Sequence, residues 1–435
     1  MMIDVLVIGA GFAGMTAARE LSAAGLSVLM LEARDRVGGR TWRNAYGTHM
    51  LELGGAYVHW SQPHVWAELT RYGLRVAPDS SEDIAEMRLL SDGRLHCLSG
   101  DDGYALLGEA YAALYAADPQ PADLFPLPYD PLSHLEWQAH AEISLAQQLE
   151  RLALPSLQHD ALRAMLRTDM SAQIETAALI EVLRQRALLG SGDFTRLAEV
   201  NGTYLIEGGT AALLEQMRAD THAELRTGQV VTAIEQADER VSVRCADGSV
   251  YIARAAVVAL ALNTWSSITF VPALNAAKQT LAEQKHAGSG FKCFVRVAGQ
   301  QPALLAIAPP PQAFSLLTTS HTDGDSTWLV GFGVEAPAAF TVEWSQSALA
   351  PLFPNVHVLE VVGHNWTADP FSRGTWATLR PGQATLLQDA IRPEGRLHFA
   401  SGDIALGWRG YIDGAIESGL RAAREVRAQV RGERA

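Results

Sequence analysis

Three glycines at positions 9, 11 and 14, set directly behind an apolar run, constrain this chain more than any other feature. In the run Ile3–Ile8, five of six residues are apolar and four are β-branched, which reads as a buried strand. Glycines at i, i+2 and i+5 allow a tight turn, a close backbone approach to a pyrophosphate, and close packing of the next helix on the sheet. The helix expected over 12–24 turns its free N–H groups and its dipole toward the phosphates. Gly25 ends it, and a strand over 27–31 leads to Glu32, 18 residues beyond Gly14. A ribose-binding acid is expected at about 20. A bare Gly-x-Gly-x-x-Gly is a weak signal, but strand, turn, helix, strand and acid in that order is a strong one. It predicts a Rossmann-like dinucleotide site built on Gly9, Gly11, Phe12, Ala13, Gly14 and Glu32.

The rest of the composition mainly excludes. A net charge of −14 argues against nucleic acid as a partner and suits cationic small molecules as well as plain solubility. Cys97, Cys245 and Cys293 have no C-x-x-C spacing, so neither a zinc site nor a disulfide framework is expected. His59 and His64 read as loop residues, and no metal is expected. No Gly-x-Ser-x-Gly elbow is present to carry esterase chemistry. The longest apolar run, 255–262, is far short of a membrane span, and no signal-type segment precedes the first strand. A cytoplasmic protein with no membrane partner is the expectation.

With 435 residues the chain has room for more than one domain. Residues 77–195 change character: an Ala-rich helix over 104–117, a loop with Pro119, Pro121, Pro126, Pro128 and Pro131, then helices over 145–152 and 172–189. Strands return at 229–236, 241–245 and 255–262, with a hairpin turn at 246–248. Beyond a strand at 291–297 and the prolines at 309–311, a strand over 397–402 and a helix over 410–427 close the chain. The expected fold is α/β: a Rossmann-like domain formed by 1–76, 196–272 and 382–435. A mixed sheet-and-helix (α+β) substrate domain, 77–195 and 273–381, is inserted in two pieces.

Beyond Glu32 come Ala33, Arg34, the Gly38-Gly39-Arg40-Thr41-Trp42 turn, and Glu52-Leu53-Gly54-Gly55-Ala56-Tyr57. Near the other end is the run from Phe399 through Gly402, Asp403, Trp408, Gly410 and Tyr411 to Gly414. A nicotinamide-binding Rossmann domain has no use for the second glycine cluster. The chain resembles the FAD-dependent amine oxidases of the monoamine oxidase type. Segments 53–60, 263–265 and 405–415 are similar to their bacterial nicotine-degrading members. The resemblance implies FAD, also touched by Ala33, Arg34, Gly39, Arg40, Gly54, Gly55, Ala56, Val231, Asp403, Tyr411 and Ile412. Thr375 stands where some members carry a flavin-linking cysteine, which implies non-covalent FAD. Ala261 replaces a proline common among relatives and leaves that turn open.

The implied reaction moves a hydride from the carbon beside nitrogen to flavin N5. It gives an imine or iminium that water hydrolyses, with electrons passing to O2, as hydrogen peroxide, or to a protein acceptor. The amine must arrive uncharged, which aromatic walls favour. By motif those walls are Trp376 and Tyr411. Lys292, costly among apolar strand neighbours unless solvated or paired, falls where the family's flavin-side lysine lies. Tyr57, His59, Trp60 and Thr168, with Asp169 beside it, are the substrate-cavity candidates. A homodimer is compatible with the family. An amino-acid oxidase or desaturase would need Arg373 or Arg409 as a carboxylate clamp, and a flavin-binding redox partner or scaffold would need no aromatic pair.

Overall fold

The computed structural model describes residues 3–78, 84–117, 121–190, 193–237 and 239–431. Pro119 of the proline-rich loop lies outside the described residues.

Strand β1 (Ile3–Ile8) lies in the interior of an eight-stranded sheet. It pairs in parallel with β2 (Val28–Leu31) on one side and with Val250–Val258 on the other. Alternation along β1 splits its residues between two cores. Val5 and Val7 pack with helix α1 (Phe12–Ala23) and the C-terminal helix Ile412–Arg431, while Leu6 and Ile8 face a second apolar layer. A strand buried on both faces has no polar side to show, which explains its continuous apolar run. The sheet extends through Glu224–Arg226 beyond β2, and through Arg240–Cys245, Val231–Ala237 and Thr269–Val271 beyond Val250–Val258. Leu397–Phe399 also pairs with Val250–Val258, so the C-terminal segment returns to the nucleotide sheet.

A seven-stranded sheet holds Glu86–Ser91, Arg94–Ser99, Leu304–Ile307, Leu316–Asp323, Ser326–Gly333, Phe291–Ala298 and Val358–Asn365. Its pairs are antiparallel except where Leu304–Ile307 runs beside Glu86–Ser91. Phe291–Ala298 lies between two partners, so a residue near its start is buried from both sides.

Two elements differ from the sequence expectation. The helix expected over 172–189 begins only at Leu179, and a separate helix, Ser156–Met170, ends at left-handed Ser171. Between them the carbonyls of Ile174 and Ala177 accept from the N–H groups of Ala146 and Leu145, so a tertiary pairing takes backbone groups that a helix would have used. The strand expected over 255–262 runs instead over Val250–Val258 and gives way to a 3-10 turn, Leu262–Ser267. Ala261 enters that turn at φ −58°, a proline-like angle reached without proline. Among the described residues no helix is long and apolar enough to cross a membrane.

Candidate active site

A cavity of about 820 Å³ runs from the Gly9–Gly11 turn to Trp376 and Tyr411. Its first end is built from backbone. Gly9 adopts φ +101°, and a Cβ there would lie 2.5 Å from the Ala259 carbonyl oxygen. Gly14 does not line the cavity: a Cβ on it would come within 1.9 Å of the Gly9 carbonyl oxygen, so its role is to let α1 press against the turn. Gly54 is likewise closed, 2.1 Å from the Arg40 carbonyl oxygen. Gly11 and Gly55 are different. A Cβ on either would meet no protein atom nearer than 3.8 Å and would project into the cavity they line. That reserved space is where a dinucleotide fits. Glu32 closes this end, buried, its carboxylate accepting from the N–H groups of Ala10 at 2.8 Å and Arg34 at 2.9 Å.

Phe12, Ala13, Ala33, Arg34, Gly39, Arg40, Ala56, Val231 and Ile412 all line this cavity. Asp403 does not. It is fully buried and acts through Arg40, whose Nη2 lies 2.6 Å from its carboxylate while Nη1 donates to the Thr375 carbonyl. Burial alone would raise the Asp403 pKa, but the Arg40 charge, His286 and the hydrogen bonds from the Leu262 N–H and Arg40 together outweigh it and hold the carboxyl below its usual range. Arg34 pairs with Asp369 at 2.7 Å and thereby joins the nucleotide turn to the Trp366–Trp376 loop.

The other end is built from side chains. Lys292 is buried, and its Nζ donates to the Gly54 carbonyl at 3.2 Å. The rings of Phe332, Phe294 and Tyr57 surround that Nζ at 5.5, 5.6 and 5.8 Å. The Trp376 indole N–H donates to the Asp169 carbonyl at 3.1 Å. The Tyr411 hydroxyl donates to the Asn201 amide oxygen at 2.7 Å and accepts from Gln185. Burial and the nearby Asp169 charge both raise its pKa, so it stays a neutral phenol. Lys292, Trp376, Tyr411, Tyr57, Thr168 and Asp169 all line the same cavity.

His59 and Trp60 do not. His59 is fully buried behind the wall, 3.3 Å from Glu199, and Trp60 is 48% exposed with the Arg196 guanidinium 4.3 Å over its ring. Loop direction decides this: Tyr57 faces inward, and the next residues turn outward into the helix beginning at Pro63. His64 is held by Asp413. Arg409 is closed to a carboxylate substrate, because it is buried against Glu181 at 2.6 Å. Arg373 lines the cavity.

Sequence reasoning missed Asn201, Gln185 and Tyr111. Tyr111 donates to Asp169, and Asn201 donates to the same carboxylate at 3.3 Å. None carries a motif; only the packing of helices Gly100–Ala116, Ser156–Met170, Leu179–Leu188 and Phe194–Gly202 brings them together. Also missed was His286, fully buried, with burial lowering its pKa to about 4 against the pull of Asp403.

The family model for flavin-containing amine oxidoreductases matches residues 12–427. The pseudooxynicotine dehydrogenase of a Pseudomonas species is 35% identical, over 99% of this chain and 87% of its own. The (S)-6-hydroxynicotine oxidase of Paenarthrobacter nicotinovorans is 30% identical, over 96% of this chain and 97% of its own. The solved cyclohexylamine oxidase of Brevibacterium oxydans superposes with a TM-score of 0.78 at 21% identity, covering 99% of this chain and all of its own, a likeness of fold.

Proposed function

Given that the chain belongs to the flavin-containing amine oxidoreductases, we propose that its substrate is a small nicotine-like or other aryl-alkyl amine, oxidised to an imine or iminium that water then hydrolyses. Held without a covalent link by the glycine turns, Glu32 and Arg40, FAD would supply the two-electron acceptor for the hydride leaving the carbon beside nitrogen, with O2 or a protein partner as the final electron acceptor.

The chain's own residues do the rest. Glu32 takes the ribose, Gly11, Gly39 and Gly55 leave room for the pyrophosphate and ring system, and the Arg40–Asp403 pair supplies a fixed charge beside them. The N-terminus of helix Ile412–Arg431, whose first residue lines the cavity, would turn its dipole toward a flavin held there, worth roughly 0.3–1 kcal/mol. Trp376 and Tyr411 exclude water and disfavour an ammonium, so the nitrogen meets the flavin with its lone pair free. Lys292 would hold a water with its Nζ, and that water would take the N–H proton released as the iminium becomes an imine.

The observation that carries this reading is the continuity of one cavity from the glycine turn to Lys292, Trp376 and Tyr411. The proposed division into a nucleotide domain (1–76, 196–272, 382–435) and a substrate domain (77–195, 273–381) is supported by the strands. Every strand of the eight-stranded sheet falls in the first set and every strand of the seven-stranded sheet in the second.

The test is to add amines, nicotine and 6-hydroxynicotine among them, to the yellow holoenzyme without air. Bleaching of the flavin band by one of them is expected. Rapid return of colour in air marks oxygen as the acceptor, and slow return marks a protein acceptor. No bleaching by any amine would overturn the reading.

A further inference from the structure

Helix Pro63–Tyr72 begins without a cap of its own, since Gln62 before it lends no side-chain hydrogen bond. Asp413 supplies what is missing. It lies in the first turn of helix Ile412–Arg431, fully buried, and one carboxylate oxygen accepts from the N–H groups of His64 at 2.6 Å and Val65 at 2.9 Å. The other oxygen lies 3.0 Å from Nδ1 of the His64 ring. One carboxylate thus joins the first turns of two helices, and its ring partner is of the kind that titrates near neutral pH.

The pair stands behind the cavity wall. Ile412 and Ala415, neighbours on one face of the helix, line the cavity with Gly410 and Tyr411, whereas Asp413 and His64 do not. The His64 side chain is 28% exposed, so water can reach it. Burial alone would lower its pKa, but the hydrogen bond and charge of Asp413, helped by Glu417 and opposed by Arg424, raise it above the usual histidine value. Other groups nearby are already committed. Glu417 accepts from the N–H groups of Leu406 and Gly407, and Glu68 on the histidine's own helix pairs with Arg19. The Tyr129 phenol facing Asp413 and Glu417 has its pKa raised by burial and stays neutral.

The geometry points to His64 as a positioning residue for the redox step, acting through Asp413 on the charge at the start of helix Ile412–Arg431. This rests on the flavin reading and goes beyond it. A hydride carries two electrons and one proton, so an oxidised flavin that accepts it becomes an anion, and a helix start favours that negative charge. With His64 protonated, the Asp413 charge is balanced and the helix dipole acts undiminished. With His64 neutral, one net negative charge remains at the helix start and opposes reduction. The proton that makes the difference comes from water, and none is taken from the amine. By linkage, reduction of the cofactor must tighten the hold of His64 on its proton by the same amount.

The test is the midpoint potential of the bound flavin, measured in the holoenzyme by dye-coupled reduction from about pH 6 to 9, where a histidine of raised pKa titrates. Wild type, His64→Gln and His64→Lys are compared. At the acid end and one fixed ambient potential, His64→Gln is expected to hold a reduced-to-oxidised ratio roughly three- to tenfold below wild type, the effect of one partly screened charge near a helix end. That difference is expected to vanish at the alkaline end, where wild type has lost the same charge, while His64→Lys stays high throughout. Ionisation of the flavin itself is common to all three and cancels in the differences. The wild type falling away from His64→Lys as pH rises is the same result read without His64→Gln. Wild-type and His64→Gln curves that run parallel, whatever their offset, would overturn the proposal and leave His64 a brace between two helices. So would a His64→Lys curve that follows His64→Gln. Failure of every amine to bleach the flavin would strike the amine reading instead, since the potential is measured without substrate.

Discussion

The two ends of the cavity are made in opposite ways. The nucleotide end is backbone: glycines that leave no room for a Cβ (Gly9, Gly14, Gly54) or keep cavity space open (Gly11, Gly55), N–H groups on Glu32, and a helix start, drawn chiefly from the first 56 residues. The amine end is side chains from Tyr57, Asp169, Asn201, Lys292, Trp376 and Tyr411, which lie on six segments scattered along the chain. Backbone geometry is unforgiving because no rotamer can relieve a clash with a carbonyl. A side-chain wall can exchange its members and keep its shape. One end is thereby fixed to a single cofactor, while the other is free to choose a substrate.

The comparison breaks most directly at Gly14. Gly14→Ala puts a methyl within reach of the Gly9 carbonyl, and a cost of about 3 kcal/mol or more is expected. The purified protein should lose most of its yellow colour; a full flavin-to-protein ratio would show that the turn is more forgiving than its geometry. The opposite outcome is expected at Lys292. Lys292→Met should keep FAD and slow flavin reduction or reoxidation by roughly 100-fold, as loss of a positioned proton relay does. Stopped-flow rates equal to the wild type would remove Lys292 from the chemistry.

Asp169 sharpens the contrast through pH. Its folded pKa of about 6 is above the unfolded value of 3.8, so the native state carries an unfavourable charge above about pH 6 and sheds it as pH falls toward 4. Asp169→Asn should therefore be more stable than the wild type at pH 7.5 by about 2–3 kcal/mol, an advantage that fades below pH 6. Denaturant unfolding of ligand-free holoenzyme at the two pH values checks the sign; an advantage that grows toward acid would refute it. At Tyr411 the effect is smaller. Tyr411→Phe keeps the ring but strands the Asn201 and Gln185 amides, for about 1 kcal/mol or roughly fivefold in KM, with kcat changing less. Trp60→Ala, outside the wall, should move stability by less than about 0.5 kcal/mol and leave kcat/KM alone. A large kinetic effect there would bring Trp60 back to the substrate.

How much could be read in advance follows the same division. The glycine turn, Glu32 and the first βαβ unit were legible because their physics is local: φ angles, strand alternation and a helix start lie within a few residues of one another. Thr168 and Tyr57 were placed at the cavity, yet His59 and Trp60, one loop further, turn away, since a sequence does not state which way a loop leaves a strand. The non-helical stretch 172–178 went unread because nothing in it opposes a helix; what displaces the helix there is a pairing with residues 145–146.

The sequence by itself determined that the chain is of the flavin amine oxidase kind, through both glycine clusters and the C-terminal motif, and where the glycine turn and buried Glu32 at one end of the cavity lie. Only the tertiary structure decided that Asp403 meets Arg40, that Arg409 is spent on Glu181, and that an acid without a cationic partner among the described residues, Asp169, lines the cavity. The physical reason is range. Backbone conformation is set by neighbours in the chain, but the cost of a buried charge depends on which groups the fold brings within a few ångströms, and those come from segments hundreds of residues apart.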